Sequence, residues 1–241
     1  PFRRKWIGVM EMDGSDYLVS FALNQKYQEP YIIHRPQDFV GYASLSKDGT
    51  KLAWIEWQKP SMPWDSSQLF WGHINDSGEI EEPTLLADSF LKKSGSASFF
   101  KPIWLPSGEL LVSEDSSGWW NLMIIGPDIE PGVAPLWKRL WPMEAETAVA
   151  QWVYGISTTS LAAENIVTLR CEKGSWRINL LSLNGSIAEV KQPFNDLTYL
   201  CADNNRLVAI ASNPLTESGL LELDLSNDSW SHTPVRERVL D

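Results

Sequence analysis

The sequence contains few cysteines and few histidines. Among 241 residues, the only cysteines are Cys171 and Cys201, which lack CxxC spacing, and there are three histidines. Two isolated cysteines favour unlinked thiols over a structural disulfide and therefore indicate a reducing, cytoplasmic location. The chain begins at Pro1 rather than Met, so a removed leader stays open as an alternative.

Basic clusters and long apolar runs are also missing. The formal net charge is -11, and Lys and Arg form no stripe that could follow a phosphate backbone. No run approaches the roughly 18 apolar residues of a membrane span. We therefore expect neither nucleic acid nor a membrane as a partner.

The motifs of common catalytic sites are absent. A Gly-x-Ser-x-Gly elbow does not occur, and its nearest match, Gly155 to Thr159, lacks the final glycine. No HExxH motif, no spaced Cys/His set and no Gly-rich phosphate loop is present. We expect no catalytic residues, no metal and no cofactor in this chain, although paired carboxylates for glycoside hydrolysis stay open.

A repeat of short strands and tight turns fills the chain instead. Four-stranded units recur about every 45 to 55 residues, a pattern that predicts an all-β β-propeller of about four to five blades. Four blades are predicted at 40–90, 97–142, 148–194 and 197–238, after a partial blade at 1–39 that lacks its first strand. Met143 to Trp152 is read as a connector or strand edge, with a short helix as the lesser alternative.

The 13 tryptophans fall into two groups. Trp54, Trp71, Trp104 and Trp176 lie inside strand patterns and are predicted to pack between sheets. Trp64, Trp119 and Trp120 lie in or beside the loops that join the second and third strands of a blade, near the acids Glu56, Asp65, Glu114 and Asp115. These loops either form a binding mouth or fold over their own rings. Each acid likewise has two alternatives. It either pairs with the ammonium group of a substrate or has no binding role, in which case Asp65 caps a turn and Glu56 faces solvent.

Two of these aromatic stretches resemble a known family. LSKDGTKLAWIEWQKPSMPWDSSQLFW and EDSSGWWNL are similar to the propeller of prolyl oligopeptidase-family serine peptidases, in the acylaminoacyl-peptidase and dipeptidyl-aminopeptidase branch. The likeness extends from about Lys5 to Asn121 and then fades to general blade patterning. It implies a fragment of a seven-bladed propeller, with a catalytic α/β-hydrolase domain expected C-terminal to residue 241.

The resemblance also implies a role and a site. In that family the propeller gates peptide substrates for the hydrolase domain, so the expected partners are that domain and a peptide. The candidate substrate-binding residues lie in two loops: Glu56, Trp57, Met62, Trp64, Asp65, Ser117, Trp119 and Trp120. This chain alone is expected to be inactive, and an open ring of blades is expected to self-associate or to close as five blades. The alternatives are a free-standing propeller that binds protein or carbohydrate and a small propeller glycosidase.

Overall fold

The structure is a computed structural model that describes residues 5–23, 29–87, 97–127 and 136–236. Every regular element in these ranges is a β-strand, and all sheets are antiparallel. The chain divides into two compact units. Unit 1 comprises Pro1–Gly118 and Leu122–Arg139, and unit 2 comprises Trp119–Asn121 and Leu140–Asp241.

Unit 1 contains sheets 1 to 3, apart from Asn121 of β10. Sheet 1 has three strands in the order β1-β2-β3: β1 (Lys5–Met12), β2 (Ser15–Ala22) and β3 (Tyr31–His34). Sheet 2 has four in chain order: β4 (Phe39–Leu45), β5 (Lys51–Trp57), β6 (Gln68–Ile74) and β7 (Ile80–Ala87). Sheet 3 follows the same order: β8 (Phe99–Trp104), β9 (Leu110–Glu114), β10 (Asn121–Ile125) and β11 (Trp137–Arg139).

Unit 2 contains sheets 4 and 5, each again four strands in chain order. Sheet 4 comprises β12 (Thr159–Ala162), β13 (Asn165–Glu172), β14 (Ser175–Ser182) and β15 (Ile187–Val190). Sheet 5 comprises β16 (Asp196–Asp203), β17 (Arg206–Asn213), β18 (Thr216–Asp224) and β19 (Ser229–Pro234). The prediction of an all-β chain made of four-stranded antiparallel blades is confirmed, and within the described residues the first sheet has three strands.

Sheet 2 buries both of its faces, as β5 shows. Leu52 and Trp54 point to one face and pack in a cluster with Leu18 of sheet 1. Ala53 and Ile55 point to the other face and share a second cluster with residues of sheet 3. Because side chains alternate along a strand, a strand between two neighbouring sheets needs apolar residues at successive positions. Burial of each large apolar side chain contributes about 1.5 to 3 kcal/mol.

The strand tryptophans have the predicted packing role. Trp54 and Trp71 are fully buried, Trp104 is 7% exposed, and Trp176 packs at the edge of the cluster between sheets 4 and 5. Their indole rings supply much of the apolar volume between sheets. This part of the sequence interpretation is confirmed.

The segment from Met143 to Trp152 is a connector. It contains no helix, and its only regular pairing is a single bridge between Glu146 and Cys171. The favoured reading, a connector or strand edge, is therefore correct, and the short-helix alternative is wrong.

Candidate functional site

The loop between β5 and β6 is fixed to the chain segment that leads into sheet 3. Ser67 donates its backbone N–H to the carbonyl of Ala97 at 3.0 Å, and its hydroxyl accepts the N–H of Phe99 at 2.8 Å. Asp115 Oδ1 accepts the N–H of Ser98 at 2.8 Å. Because both loops bond to residues 97–99, the second-to-third-strand loops of sheets 2 and 3 lie at the same end of unit 1. We call this end the rim.

Glu56 lies in a buried polar contact between sheets 1 and 2. It is 7% exposed, and its Oε1 accepts the indole N–H of Trp54 at 2.7 Å and lies 2.6 Å from Nε2 of His34. The Glu56 carboxylate thus contacts two ring nitrogens, one from each of the two sheets. The rings of His34 and Trp54 lie 4.9 Å apart between centroids. Glu56 therefore neither faces solvent nor offers this oxygen to a ligand.

Trp57 points to the opposite face of β5. It is 9% exposed and stacks on Phe39, with ring centroids 5.6 Å apart and planes at 21°. The ring belongs to the apolar cluster between sheets 2 and 3. It also lines a cleft of about 230 Å³ beside the β5–β6 loop, together with Gln58, Lys59, Ser61, Ser66, Ser67 and Gln68.

Asp65 closes the turn that contains Met62 and Trp64. Its Oδ2 accepts the N–H of Met62 at 3.0 Å, and its own N–H donates to the carbonyl of Met62 at 2.9 Å. The turn leaves Met62 45% exposed and Trp64 half-buried. The turn-capping alternative for Asp65 agrees with this geometry.

The loop after β9 turns sharply and holds Ser117 outward. Gly118 donates its N–H to the carbonyl of Asp115 at 2.8 Å and has a φ of 91°, a conformation that glycine adopts without strain. Ser117 is exposed. The turn thus presents a hydroxyl at the rim.

Glu114 binds the backbone of this loop. It is fully buried, and its Oε2 accepts the N–H of Ser116 at 2.6 Å. Arg139 donates from Nη2 to the Ser116 hydroxyl at 3.1 Å, and the same nitrogen lies 4.0 Å from Glu114 Oε1. A half-exposed guanidinium therefore lies beside the buried carboxyl group, whose Oε1 has no hydrogen-bond partner within the described residues, and both groups bind one loop residue.

Trp119 and Trp120 follow in the part of this loop that belongs to unit 2. Trp119 is 39% exposed. Trp120 is partly buried, donates its N–H to Glu146 Oε2 at 2.7 Å, and accepts the N–H of Thr147 at 2.8 Å through its carbonyl. The backbone of Trp120 is thus hydrogen bonded to the connector after β11, whereas Trp119 is exposed to solvent.

The predicted site residues therefore divide by environment. Met62, Asp65, Ser117 and Trp119 are exposed, Trp64 and Trp120 are partly buried, and Glu56 and Trp57 belong to packed layers. Sequence reasoning missed the partners His34, Ser67 and Arg139. One feature of the sequence could have predicted the buried position of Glu114. Like Glu56, Glu114 lies at the end of the second strand of its sheet.

The described residues contain no histidine–nucleophile pair and no metal-type cluster. No histidine among them is hydrogen bonded to a serine hydroxyl or a cysteine thiol: His34 contacts Glu56, and His232 contacts the Ala211 carbonyl. Nowhere in the described ranges do three or more His, Cys, Asp or Glu side chains gather as metal ligands do. The same ranges hold no helix that could cross a membrane.

Several known structures with the same fold are peptidases. A puromycin-hydrolyzing peptidase of Mycobacterium tuberculosis superposes with a TM-score of 0.84 at 21% identity, over 94% of this chain and 35% of the peptidase. A puromycin hydrolase superposes with a TM-score of 0.82 at 22% identity, over 94% and 34%. Prolyl oligopeptidase B of Galerina marginata gives 0.73 at 12% identity, over 99% and 33%.

The chain has the propeller fold of prolyl oligopeptidase-type peptidases. It spans about a third of the length of the peptidases that it matches. The resemblance seen in the two aromatic loops is thereby confirmed at the level of the fold. Neither a protein-family model nor a curated protein matches the sequence.

Proposed function

We propose that this chain is the non-catalytic propeller domain of a serine peptidase of the dipeptidyl-aminopeptidase or acylaminoacyl-peptidase type. Its role is to gate and help bind peptide substrates for an α/β-hydrolase domain C-terminal to residue 241. The observation that carries the proposal is the superposition of nearly the whole chain on about one third of several peptidases. The MPWD and SGWWN loops support the choice of branch.

The environments of the rim residues determine which of them we assign to peptide binding. Glu56 and Asp65 already use carboxylate oxygens for contacts within the chain, so neither is the preferred anchor for a peptide ammonium. Met62 and Ser117 expose their side chains on separate loops at one end of unit 1. Trp119 exposes an aromatic surface on its own loop. We assign peptide contact to each of these three residues and a packing role to Trp57, Trp64 and Trp120.

The first test is the coding DNA beyond Asp241. We expect a Gly-x-Ser-x-Gly elbow, followed by Asp and His, within the next few hundred codons. Expression of the longer protein should then give peptidase activity with aminoacyl and acylaminoacyl substrates. The 241-residue chain alone should give none, and Ser→Ala at the elbow should abolish the activity. A reading frame that stops close to Asp241 removes the peptidase proposal and leaves a free-standing binding propeller.

The second test separates gating from a purely structural role. In the longer protein, Met62→Ala and Trp119→Ala should raise KM for peptides while leaving kcat within about twofold, because uniform binding contacts act on KM. Tyr154→Ala, another exposed aromatic change, serves as the control. Unchanged kinetics in both rim variants argue against peptide contact at these residues.

Location and assembly complete the proposal. We place the protein in the cytoplasm because both cysteines are free thiols. We also propose that the isolated chain self-associates, since the end blades of a propeller fragment lack the neighbouring sheet that covers their outer faces in a full ring. Light scattering of the isolated chain should give a mass above 27.3 kDa, and a monomer at all concentrations contradicts this part.

A further inference from the structure

The cleft beside the β5–β6 loop contains a cation and hydrogen-bond donors but no acidic side chain. Lys59 supplies the charge, Gln58 and Gln68 supply amides, and three serines supply hydroxyl groups. The whole chain carries 31 acidic residues against 20 basic ones, so a cleft without an acid differs from the average surface. Its chemistry suits a ligand that accepts hydrogen bonds and carries negative charge.

Each of the two acids next to the cleft accepts a hydrogen bond from a backbone N–H group. Asp38 Oδ2 accepts the N–H of Lys59 at 3.0 Å, and Asp65 Oδ2 accepts the N–H of Met62 at 3.0 Å. These bonds occupy one oxygen of each carboxylate within the loop framework. No ion pair of Lys59 occurs within the described residues.

Three other clefts in the described part of the chain have a different composition. The cleft at the β17–β18 turn includes Glu217, the one beside Trp104 includes Asp48, and the one beside Trp230 includes Glu222 and Asp224. Each of them contains at least one carboxylate, accompanied by Lys47 and Lys51 in the second cleft and by Arg206 in the third. The cleft beside β5 is the exception among these four.

The Lys59 ammonium is held against an aromatic pair. Its Nζ lies 5.3 Å from the centroid of the Phe39 ring, and Phe39 stacks on Trp57, which lines the cleft. A cation–π contact restricts a flexible side chain without neutralising its charge. An ammonium held in this way loses less conformational entropy when it binds a partner.

We propose that this cleft binds a carboxylate group, with Lys59 as its counter-ion and the neighbouring amides and hydroxyls as donors. The inference rests on the proposed function for the identity of the ligand, which is then a carboxylate of a peptide. That carboxylate comes either from the peptide C-terminus or from an Asp or Glu side chain. The chemistry at Lys59 is the same in both cases.

The experiment uses four acetylated tripeptides and the 241-residue chain. Trialanine with a free C-terminus is compared with its C-terminal amide, and an amidated peptide with a central Glu is compared with one that has a central Gln. Binding is measured by calorimetry and by changes in the NMR signals of the Gln58 and Gln68 side-chain amides. We expect at least one carboxylate peptide to bind more tightly than its neutral partner, and the pair that differs identifies the source of the carboxylate.

Matched variants assign the effect to Lys59. Lys59→Gln should weaken carboxylate binding by roughly three- to tenfold, the range for a partly exposed charge-assisted contact. Lys59→Arg should retain most of the affinity, and Lys138→Gln, an exposed lysine on β11, should leave it unchanged.

The outcomes separate this inference from the proposed function. Equal binding of acids and amides, or an unchanged affinity in Lys59→Gln, overturns the carboxylate cleft while peptide binding by the propeller stands. If none of the four peptides binds, the carboxylate cleft is overturned, and the kinetics of Met62→Ala and Trp119→Ala decide peptide contact at the rim separately. Circular dichroism of each variant confirms that the change at this exposed position leaves the fold intact.

Discussion

Glu56 and Glu114 occupy the same position in successive sheets. Each lies at the end of a second strand, opposite Val40 and Phe99 near the start of the first strand. Both are buried, yet their partners differ, because Glu56 binds Trp54 and His34 whereas Glu114 binds the Ser116 backbone beside Arg139. The repeat thus retains a buried carboxylate and changes its partner, which favours a structural role for both acids.

Removal of the Glu56 carboxylate should destabilise unit 1. Glu56→Ala leaves the buried indole N–H of Trp54 and Nε2 of the partly buried His34 without their hydrogen-bond partner, and unsatisfied buried groups cost about 1 to 3 kcal/mol each. We expect the urea midpoint to fall by an amount equivalent to about 2 to 4 kcal/mol. Equilibrium unfolding followed by tryptophan fluorescence measures the change.

A control separates this effect from loss of charge. Glu164→Ala removes an acid from an exposed turn, and no side-chain hydrogen bond of Glu164 occurs within the described residues. Its urea midpoint should match that of the parent chain. Equal midpoints for Glu56→Ala and Glu164→Ala would show that the contact between sheets 1 and 2 contributes little.

The two thiols should react at different rates. Cys201 is exposed, whereas Cys171 is partly buried, and burial raises the pKa of the Cys171 thiol. A raised pKa leaves less thiolate at neutral pH, so Cys171 should react more slowly with a disulfide reagent. Cys201→Ser should remove the fast phase and Cys171→Ser the slow one. A single rate for both thiols in the parent chain contradicts this expectation.

Local residue patterns predicted local roles well but not contacts between sheets. The turn function of Asp65 follows from its place three residues after Met62. The contact of Glu56 with His34 joins residues 22 positions apart in different sheets. No strand periodicity encodes which residue of a neighbouring sheet meets a given side chain, so this pairing required the structure.

At the scale of elements, a bulge recurs in the first strand of three sheets. The register shifts between Gly41 and Ser44 in β4, between Phe100 and Ile103 in β8, and between Thr198 and Cys201 in β16. One residue inside each shift has a positive φ: Tyr42 (54°), Lys101 (45°) and Tyr199 (54°). None is glycine, so each position carries backbone strain that the surrounding sheet must offset.

Substitution at the bulge of β8 should reveal this strain. Asn tolerates a left-handed conformation, whereas a β-branched residue does not, so Lys101→Val should be less stable than Lys101→Asn by about 1 to 2 kcal/mol. Both variants remove the same lysine contacts. The difference between their free energies of unfolding therefore reports the strain of the backbone at residue 101. The comparison is made from urea midpoints, and a Val variant as stable as the Asn variant contradicts it.

The strands were predictable, whereas the bulges were not. Alternating apolar residues and turns such as Lys47-Asp48-Gly49 indicated the hairpins and their order. Glycine marks a positive φ in a sequence, but Tyr42, Lys101 and Tyr199 are types that rarely adopt one. The bulge depends on packing of the first strand, which is a tertiary property.

The link between the β5–β6 loop and sheet 3 gives a second prediction at this scale. Ser67 is 1% exposed, and its hydroxyl accepts the N–H of Phe99, so Ser67→Ala leaves that buried donor unpaired. We expect a loss of about 1 to 3 kcal/mol. Ser66→Ala changes a neighbouring serine whose hydroxyl makes no hydrogen bond within the described residues, and it should be close to neutral. Hydrogen exchange at Phe99 should accelerate in Ser67→Ala only.

At the scale of the whole molecule, acid should weaken the fold at several distant turns together. Hydrogen bonds lower the pKa of Asp48 through the Ser46 hydroxyl, of Glu79 through Tyr31, and of Asp224 through the Ser226 hydroxyl. A carboxyl whose pKa is lower in the folded state stabilises the fold above its unfolded-state pKa. That contribution is lost as the pH falls through the folded-state value. The ordinary values of 3.8 for Asp and 4.5 for Glu therefore place the onset of the loss below about pH 4.5.

The triple variant Asp48→Ala, Glu79→Ala, Asp224→Ala tests this linkage. At pH 7 its urea midpoint should lie below that of the parent chain, and the gap should narrow progressively below pH 4.5, because protonation removes the same contributions from the parent. The control removes three exposed acids, Glu29, Glu144 and Glu164, for which no side-chain hydrogen bond or ion pair occurs within the described residues. Both variants change the net charge of -11 by the same amount, so repulsion between acids is matched. A gap that stays constant from pH 7 to pH 3 would mean that these turns stabilise the fold without their charge.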